Sequence, residues 1–376
     1  MRKERKKTPK ILICCPALNL KGGVSSYYRK IKKYLTDTNI SFIEIGGYQR
    51  KGINLFFSII KEPYLFLKKI ISYNPDIVLL NPSLKSRAII RNMFFLLLSK
   101  LFNCKVIIFW RGFNLEIANK IKKNFFFLKI FVFIFNMADL TLVLSSEFRE
   151  ILRQIGINHL IITTTTVIDS FLLSNLRKEE KKEKDYKLVF MSRLEKEKGI
   201  YEAVKSFFIL SKKYDNIEFH ILGDGPEEEY VKKISLVNKN IKYHGYIDGK
   251  EKYEILKGCD IFVFPSYTEG MPNAVLEAMA CGLVVITTPV GGLKDFFIPG
   301  KHGFFVKKHS YEQIVQSVEK IIKNKHLRKK IAQYNITYAK KNFSPEKRAL
   351  FLLKICNLVH SGNIEKIKKD WFDNEN

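Results

Sequence analysis

The sequence predicts an α/β protein built from two doubly wound parallel-sheet domains that face a central cleft. Three observations lead to this fold class. The 376 residues are about the length of two domains. Short β-branched runs alternate with longer helical patterns, which is typical of βαβ units. Several runs, such as Lys105–Trp110, are almost wholly apolar, as expected of strands covered on both faces. Ligands of such sheets bind at the carboxyl ends of the strands, so we expect the site in the cleft.

The alternation continues through both halves of the chain. In the first half the predicted strands are Lys10–Cys15, Ser41–Ile45, Asp76–Asn81, Lys105–Trp110, Leu140–Leu144 and Leu160–Thr164, and the predicted helices include Ser25–Leu35, Ser86–Leu101 and Glu116–Met137. In the second half the predicted strands are Lys187–Met191, Ile217–Leu222, Ile241–His244, Ile261–Pro265, Val284–Thr287 and Gly303–Val306. The helices predicted between them are Ile200–Lys212, Glu227–Val237, Lys250–Lys257, Asn273–Cys281 and Tyr311–Asn324.

A charged stretch divides the two halves. Ser174–Tyr186 contains almost nothing that a core could bury. We therefore predict a first domain over residues 1–168, a linker over 169–186 and a second domain over 187–344. The tail after Ser344 is predicted to be helical to about His360, and the C-terminal segment, about 345–376, is expected to pack back on the first domain.

Charge is the unusual feature of the composition. Lys and Arg number 65 against 37 acidic residues, which gives a net charge of +28. Such a surface favours polyanions, including nucleic acid, anionic lipid headgroups and phosphorylated ligands. Compositional drift explains the charge equally well, because lysine is spread along the whole chain and no basic block is longer than Arg2–Lys7.

Cysteine usage and hydropathy indicate a cytoplasmic protein. The six cysteines form no CxxC pair and are expected to be buried thiols of a reducing compartment; they are Cys14, Cys15, Cys104, Cys259, Cys281 and Cys356. The most apolar run, Phe125–Phe135, has a lysine inside it and is too short to span a bilayer. It is predicted to be a buried or surface-lying helix. No Asp-x-Asp pair or His/Cys cluster supplies a metal site, so neither a metal nor another cofactor is expected.

The most informative segment is Phe264–Gly282. A strand is expected to end near Pro265, a loop to carry Glu269, and a helix to begin with Asn273 as its N-cap. The start of that helix offers free N–H groups and positive potential to a phosphate or to sugar oxygens. Glu277 lies about one turn inside the helix, so the two carboxylates are expected to contact different parts of one ligand. Two solvent-facing glutamates beside a helix cap are the alternative.

Three further loops follow predicted strands. Arg193 and Lys198 flank a loop before Gly199, an arrangement suited to holding a diphosphate from two sides; a solvated run of charges is the alternative. In Asn19–Ser25, Gly22 and Gly23 let the backbone approach a ligand closely, unless they serve only a tight turn. Gly223 and Gly225 belong to a turn, Leu222–Pro226, that is expected to shape a nucleotide pocket. The other predicted site loops span Asn19–Ser25, Met191–Gly199 and Phe264–Gly282.

Together these motifs resemble the donor site of family 4 retaining glycosyltransferases of the bacterial surface-polysaccharide type, which have the GT-B fold. The resemblance is strongest in the E-x7-E spacing of Glu269 and Glu277, followed by Thr288–Gly292. It implies that Glu269 contacts the transferred sugar and that Glu277 accepts hydrogen bonds from the ribose. It also implies roles for the neighbouring loops: Arg193 and Lys198 on the donor pyrophosphate, Gly270, Met271, Pro272 and Asn273 beside the sugar, Gly223 and Gly225 at the nucleotide, and Gly22 and Gly23 near the donor phosphate and the acceptor.

The implied activity is metal-independent transfer of a sugar, with retention, from a nucleotide-diphosphate donor to a lipid-linked or polysaccharide acceptor in capsule or lipopolysaccharide biosynthesis. The first domain would bind the acceptor. The Phe-rich helices around Arg91–Phe102 and Lys120–Phe135, with the basic charge, suggest peripheral contact with an anionic membrane at the inner face of the plasma membrane. The alternative is that these aromatic residues form the core of the first domain.

One position departs from the family pattern. Where members of the family usually have a histidine after the fourth strand, this chain has Arg111. Arginine is no base at ordinary pH, but it can bind an anionic acceptor or a donor phosphate. No histidine of the chain is assigned a catalytic role.

Two other function classes remain open at the level of sequence. Another GT-B enzyme, such as a nucleotide-sugar epimerase or a phosphorylase, would share the fold but not the loops of the second domain. A basic nucleic-acid-binding protein would explain the charge, but the chain has no RNP, zinc or helix-turn-helix signature. Nucleic acid is therefore not an expected partner.

Overall fold

The structure is a computed structural model that describes residues 8–35, 39–46, 53–112, 114–174, 186–363 and 365–367, with the backbone alone at 53–60 and 173–174. The basic block Arg2–Lys7 and most of the predicted linker, residues 175–185, lie outside the described residues. Two compact units are formed. Residues up to Thr166 and from Pro345 onward make the first, and Val167–Ser344 makes the second.

The first unit contains one six-stranded sheet. Its strands are β1 (Ile11–Cys15), β2 (Ile40–Glu44), β3 (Ile77–Leu80), β4 (Lys105–Phe109), β5 (Leu140–Val143) and β6 (Ile161–Thr163). Its helices are α1 (Gly23–Ile31), α2 (Ile53–Tyr73), α3 (Ser86–Leu101), α4 (Leu115–Lys123), α5 (Phe125–Phe135), α6 (Ser146–Ile155) and, from the end of the chain, α15 (Pro345–His360). Helix α15 contacts α1 and β4.

The second unit repeats the plan. Its strands are β7 (Tyr186–Met191), β8 (Ile217–Leu222), β9 (Ile241–Tyr243), β10 (Ile261–Phe264), β11 (Val284–Thr287) and β12 (Gly303–Phe305). Its helices are α7 (Ser170–Ser174), α8 (Ile200–Ser211), α9 (Glu228–Val237), α10 (Gly249–Gly258), α11 (Asn273–Ala280), α12 (Leu293–Phe296), α13 (Tyr311–Lys323) and α14 (Lys325–Asn342).

The named strands pair in parallel throughout both sheets. The first sheet has the order β2-β1-β3-β4-β5-β6, and the second has β12-β11-β10-β7-β8-β9. In each sheet the order reverses next to the first strand of its unit, between β1 and β3 and between β7 and β10. Such a reversal separates the helices that follow the two strands and opens a crevice at their carboxyl ends, where ligands bind.

Three inner strands of the two sheets are buried along their whole length, because their residues are almost all apolar. Ile77–Leu80, Ile261–Phe264 and Val284–Thr287 are buried at every position. Alternating exposure, which a sheet with one wet face would show, is missing from these three strands. All six cysteines are free and buried, as predicted. None of the described helices is both long and apolar enough to cross a bilayer.

Helix boundaries differ from the prediction in three places. The helix predicted over Glu116–Met137 is two helices, because Asn124 ends α4 and its side-chain oxygen caps α5 through Phe127 N. Within the predicted linker 169–186 the described residues include helix α7, whereas the C-terminal helix ends at His360 as predicted. Helices α2, α6 and α14 are not among those predicted; α2 has Pro63 in its interior, a residue that normally argues against a helix.

Candidate functional site

The predicted site residues of the second unit lie on loops at the carboxyl ends of its strands. The loop 192–199 follows β7, and the loop 265–272 follows β10. These are the two neighbouring strands between which the strand order reverses. Gly199 joins the two loops, because at its φ of 78° an added Cβ would lie 2.4 Å from the carbonyl oxygen of Pro265. Only glycine permits this approach without moving the backbone.

At this junction Lys198 and Glu269 form an ion pair. The Lys198 Nζ atom lies 2.7 Å from Oε1 of Glu269, and both side chains are largely buried. The hydroxyl of Ser266 donates to the same carboxylate oxygen at 2.9 Å. One carboxylate therefore accepts a charge-assisted hydrogen bond and a hydroxyl bond, which fixes its orientation. The structure thus brings together two of the predicted catalytic residues, with each as the partner of the other.

The second glutamate of the motif is also paired. Oε2 of Glu277 lies 3.0 Å from Nζ of Lys252, which in turn lies 3.2 Å from Oδ1 of Asp248. Burial alone would lower the pKa of Lys252, but the carboxylates of Glu277 and Asp248 outweigh it and raise that pKa. Glu269 and Glu277 are therefore not the solvent-facing glutamates of the alternative interpretation.

Two glycines hold the loop after β8 against the loop after β7. An added Cβ on Gly223 would lie 1.8 Å from the carbonyl oxygen of Ser192, and one on Gly225 would lie 2.6 Å from that of Leu194. Both glycines have φ values, 139° and 149°, that side chains rarely adopt. Leu194 N also donates to Asp224 O at 2.7 Å. Gly223 and Gly225 thus have a structural role in addition to any contact with a ligand.

Arg193 is placed differently from Lys198. Its side chain is 61% exposed, and its Nε atom lies 3.0 Å from Oε1 of Glu195. Arg193 and Lys198 lie on the same loop, but each pairs with a different carboxylate, Glu195 and Glu269 respectively. An exposed ion pair of this kind contributes little to stability, so Arg193 can exchange Glu195 for another anion at low cost.

Asn273 is not the N-cap of helix α11, contrary to the prediction. The helix begins at Asn273 itself, and Pro272 holds the capping position with no side-chain hydrogen bond. Proline favours the extended backbone needed there, with φ −77° and ψ 107°. Oδ1 of Asn273 is buried and has no hydrogen-bond partner among the described residues. Gly270 accepts from Gly292 N at 2.7 Å, and Met271 packs on the core of this unit.

In the first unit, Arg111 follows β4 and lies beside the predicted glycine loop. Its guanidinium carbon lies 4.2 Å from the ring centre of Tyr27 and 4.4 Å from that of Phe109. NH2 of Arg111 is 3.5 Å from the carbonyl oxygen of Gly23, at the start of α1. Gly22 has φ 146°, and added Cβ atoms on Gly22 and Gly23 would meet no atom within 4 Å. The glycine loop therefore borders open space next to an arginine.

Sequence reasoning missed several residues that support the site. Lys252 is one lysine among many, and nothing in its local pattern marks it as the partner of Glu277. Tyr267 donates to Oε1 of Glu202 at 2.6 Å, and the His309 ring packs against the Tyr267 ring at a tilted angle, with 4.2 Å between the ring centres. These contacts anchor the loop that carries Glu269. In the sequence, the position of Tyr267 between Ser266 and Glu269 is the one local feature that indicates a role for Tyr267 near the site.

Comparison with known proteins finds a family match within the second unit. Residues 174–338 match the family model of glycosyl transferases group 1. An uncharacterized glycosyltransferase of Methanocaldococcus jannaschii is 31% identical over 45% of this chain and 44% of its own length. A capsular polysaccharide biosynthesis glycosyltransferase of Staphylococcus aureus is 28% identical over 47% of this chain and 48% of its own length. The chain thus spans about half the length of these curated relatives.

Similarity in fold extends over nearly the whole chain. A solved sucrose-phosphate synthase from Thermosynechococcus elongatus superposes with a TM-score of 0.74 at 15% sequence identity, over 94% of this chain and all of that one. This similarity and the two parallel six-stranded sheets confirm the predicted GT-B fold class. Among the described residues no group of three or more His, Cys, Asp or Glu side chains is arranged to hold a metal ion.

Proposed function

Because residues 174–338 match the family model of glycosyl transferases group 1, we propose that this chain is a retaining glycosyltransferase that uses a nucleotide-diphosphate sugar. The observation that carries the proposal is the buried Lys198–Glu269 pair, at the point where the strand order of the second sheet reverses. A cation and a hydrogen-bond acceptor meet there, as a phosphate next to a sugar requires.

In the proposed complex the donor diphosphate takes over Lys198 and Arg193. Each of these cations now holds a carboxylate, Glu269 and Glu195 respectively, so the phosphate enters by exchange of partners. Released from Lys198, Glu269 accepts hydrogen bonds from the hydroxyls of the sugar. Glu277, held by Lys252, accepts from the ribose. The two lysines thus orient the two carboxylates of the motif before the donor arrives.

The reaction then needs positive charge more than a protein base. The acceptor hydroxyl attacks the anomeric carbon on the face from which the diphosphate departs, and the departing phosphate oxygen takes the proton. Lys198 and Arg193 neutralise the charge that develops on the leaving group, which is commonly the largest catalytic contribution. We propose that these cations make a divalent ion unnecessary. Activity that is unchanged by an excess of EDTA supports this; loss of activity that Mg²⁺ or Mn²⁺ restores contradicts it.

A thermal-shift screen against UDP-, GDP- and ADP-sugars tests the donor site. We expect one nucleotide family to raise Tm, and Arg193→Ala and Glu269→Ala to reduce the shift. Lys213→Ala is the matched control, because Lys213 forms an exposed ion pair with Glu319 in the same unit, away from these loops. If no nucleotide diphosphate stabilises the protein, or if the control loses the shift equally, the donor-site assignment is wrong.

A lipid-linked or polysaccharide acceptor is proposed for capsule or lipopolysaccharide synthesis, and an exposed apolar surface supports it. Helices α3 and α5 pack together and present two stripes at helical spacing. The stripe on α3 is Ile90, Phe94, Leu97 and Leu101, and the stripe on α5 is Phe126, Ile130 and Phe133; all seven are exposed, Phe126 by 74%. Other residues of these helices, such as Phe95 and Phe131, are buried. The aromatic residues of these helices are thus only partly core.

Lysines border this apolar surface. Nζ of Lys129 lies 4.3 Å from the ring centre of Phe125, and Lys120 and Lys123 are exposed on α4, which contacts α5. Aromatic side chains among lysines suit the boundary between acyl chains and anionic headgroups. We propose that the apolar surface docks on the inner face of the plasma membrane, where a lipid-linked acceptor lies.

Flotation with liposomes tests this docking. We expect the protein to float with vesicles that contain phosphatidylglycerol and to stay behind with pure phosphatidylcholine. Phe126→Ser with Phe133→Ser should weaken flotation about tenfold or more. Leu236→Ser is the control, because Leu236 is 88% exposed but lies on α9 of the second unit. Equal flotation with both kinds of vesicle, or equal loss in the control, contradicts the proposal.

A further inference from the structure

The first unit contains two arginines whose charge is not balanced. Nε and NH1 of Arg111 and Nε of Arg348 are buried and lack a hydrogen-bond partner among the described residues. Within the same part of the chain, no carboxylate lies within ion-pair distance of either guanidinium. The best protein contacts of these groups are weak or neutral: NH2 of Arg111 to Gly23 O at 3.5 Å, and NH1 of Arg348 to Thr164 Oγ1 at 3.2 Å.

Both arginines act on one tyrosine. The guanidinium of Arg111 lies over the Tyr27 ring, and Arg348, on helix α15, also interacts electrostatically with Tyr27. Burial raises the pKa of Tyr27, and the two arginines oppose that rise without cancelling it. The Tyr27 phenol therefore remains neutral at pH 7 and supplies no counter-charge. Arg111 thus lies over a neutral ring, and helix α15, which carries Arg348, contacts helix α1, which carries that ring.

Such an arrangement is unfavourable unless an anion completes it. Buried polar atoms of a charged group are costly when they have no partner, so proteins rarely keep them without a use. Two other partly buried arginines do have a carboxylate partner: Arg91 of the same unit lies 3.3 Å from Oε2 of Glu62, and Arg328 of the second unit lies 3.4 Å from Oδ1 of Asp260. Arg91 also has a buried Nε atom without a hydrogen-bond partner, but its charge is balanced by Glu62, whereas the charges of Arg111 and Arg348 are not.

The open space beside Arg111 shows where a ligand would enter. NH2 of Arg111 faces the glycine loop, and around Gly22 and Gly23 the positions of added Cβ atoms are free. Helix α1 begins at Gly23, and no side chain caps its first N–H groups. Guanidinium and helix N-terminus thus point to the same kind of ligand, an oxyanion.

We infer that Arg111 and Arg348 bind a phosphoryl group of the acceptor. Two guanidinium charges favour a group with two negative charges, and a phosphate monoester carries about −1.5 to −2 at pH 7, whereas a carboxylate carries one. The inference rests on the proposed glycosyltransferase function and narrows its acceptor to phosphate-bearing molecules. The phosphoryl group belongs either to a lipid carrier or to a phosphorylated sugar.

Calorimetric titration with inorganic phosphate tests the site, in the presence of a saturating concentration of the nucleoside diphosphate (UDP, GDP or ADP) whose sugars raise Tm in the thermal-shift screen. This nucleotide occupies the donor site, so that phosphate reports on the first unit. We expect Arg111→Gln and Arg348→Gln each to raise the Kd for phosphate by about 10- to 100-fold, the range typical of hydrogen bonds to charged groups. Arg91→Gln is the matched control and should leave that Kd unchanged. Acetate at equal ionic strength should bind to none of these proteins.

Several results would overturn the inference. These are equal phosphate affinity in wild type and both variants, a loss in Arg111→Gln without one in Arg348→Gln, and tight binding of acetate. Arg111→Lys keeps the charge and removes the planar fork, so it should bind phosphate with intermediate affinity even if the glutamine variant folds poorly. If none of UDP, GDP and ADP binds while phosphate binding still depends on both arginines, the donor assignment fails and this site stands.

Competition against phosphate identifies the source of the group. Tighter competition by farnesyl diphosphate than by glucose 6-phosphate assigns the site to a lipid-linked diphosphate, and the reverse order assigns it to a phosphorylated sugar. If neither compound displaces phosphate, the site does not hold a phosphoryl group of the acceptor and the inference is wrong.

Discussion

The cations near the predicted site residues differ between the two units in whether they have a carboxylate partner. In the second unit, Lys198 and Lys252 each hold a buried carboxylate, Glu269 and Glu277. In the first unit, neither Arg111 nor Arg348 has a carboxylate partner among the described residues. Where a cation already has a carboxylate partner, both side chains are held in place before a ligand binds. The ligand then replaces the carboxylate as the partner of the cation. Where a cation has no carboxylate partner, its charge destabilises the ligand-free protein, and an anionic ligand removes that destabilisation. The two proposed phosphate sites therefore differ in whether a protein carboxylate already balances the cation.

Removal of Lys252 should give the largest effect. Lys252→Met leaves Glu277 buried without its cation, which is expected to lower the free energy of unfolding by about 3–5 kcal/mol. Lys252→Met combined with Glu277→Leu should recover most of that loss, because no buried charge remains. Urea denaturation of the three proteins measures this. A double variant as unstable as the single one would show that the pair matters through packing rather than charge.

Glu269→Gln should have the next largest effect when effects are compared as free energies. It is expected to change the activation free energy of sugar transfer rather than the free energy of unfolding. The substitution keeps the shape of the side chain and removes the charge that pairs with Lys198, so the transfer rate is expected to fall about 10²- to 10³-fold. Initial rates with the donor found by the thermal-shift screen measure it. Glu319→Gln, which breaks the exposed pair with Lys213, serves as control. A rate within threefold of wild type would remove Glu269 from the catalytic centre.

Arg111→Met should shift stability in the direction opposite to Lys252→Met. It removes a buried charge that has no partner, so the free energy of unfolding without ligand is expected to rise, by about 1–4 kcal/mol. Urea denaturation in phosphate-free buffer is the measurement. If this variant is destabilised as much as Lys252→Met, Arg111 is a structural residue that the Tyr27 and Phe109 rings satisfy, and the contrast between the units disappears.

Acid should affect both units alike. Burial lowers the pKa of His159, in the first unit, and of His220, in the second, from 6.5 to about 4 in each case. Because the unfolded chain then binds protons more readily than the folded one, stability falls as pH drops from about 6.5 to about 4. His159→Gln, which can still bond to Thr141, should flatten that decline by about 1–3 kcal/mol. Urea denaturation at several pH values tests it; an unchanged slope would contradict the assignment.

Much of the fold could be predicted from the sequence because the strands are short, apolar and separated by strong turn residues. Ile217–Leu222, Val284–Thr287 and Ser86–Leu101 have the predicted bounds. The break at Asn124 was missed because the apolar pattern continues across it, and only the side-chain cap reveals that two helices meet there. Helix α2 was missed because Pro63 is normally a reason against a helix.

The site was predictable only where the backbone chemistry is local. Glycines such as Gly223, with their positive φ, and the glutamates of the E-x7-E motif stand out in the sequence. The partners of charged residues do not, because a lysine-rich chain offers many candidates for each carboxylate. Asn273 shows that residue type alone can also mislead. Asparagine favours the N-cap of a helix, but Pro272 holds that position of α11.

The close approach of Gly223 to Ser192, and of Gly225 to Leu194, has a consequence for anyone who wishes to change the donor preference of this chain. The backbone of the loop after β7 leaves no room for even a methyl group on either glycine of the loop after β8. A loop grafted alone from a relative with another nucleotide preference would collide with its neighbour or leave a gap. The two should be exchanged together, as a single cassette, with their lengths and both glycines preserved.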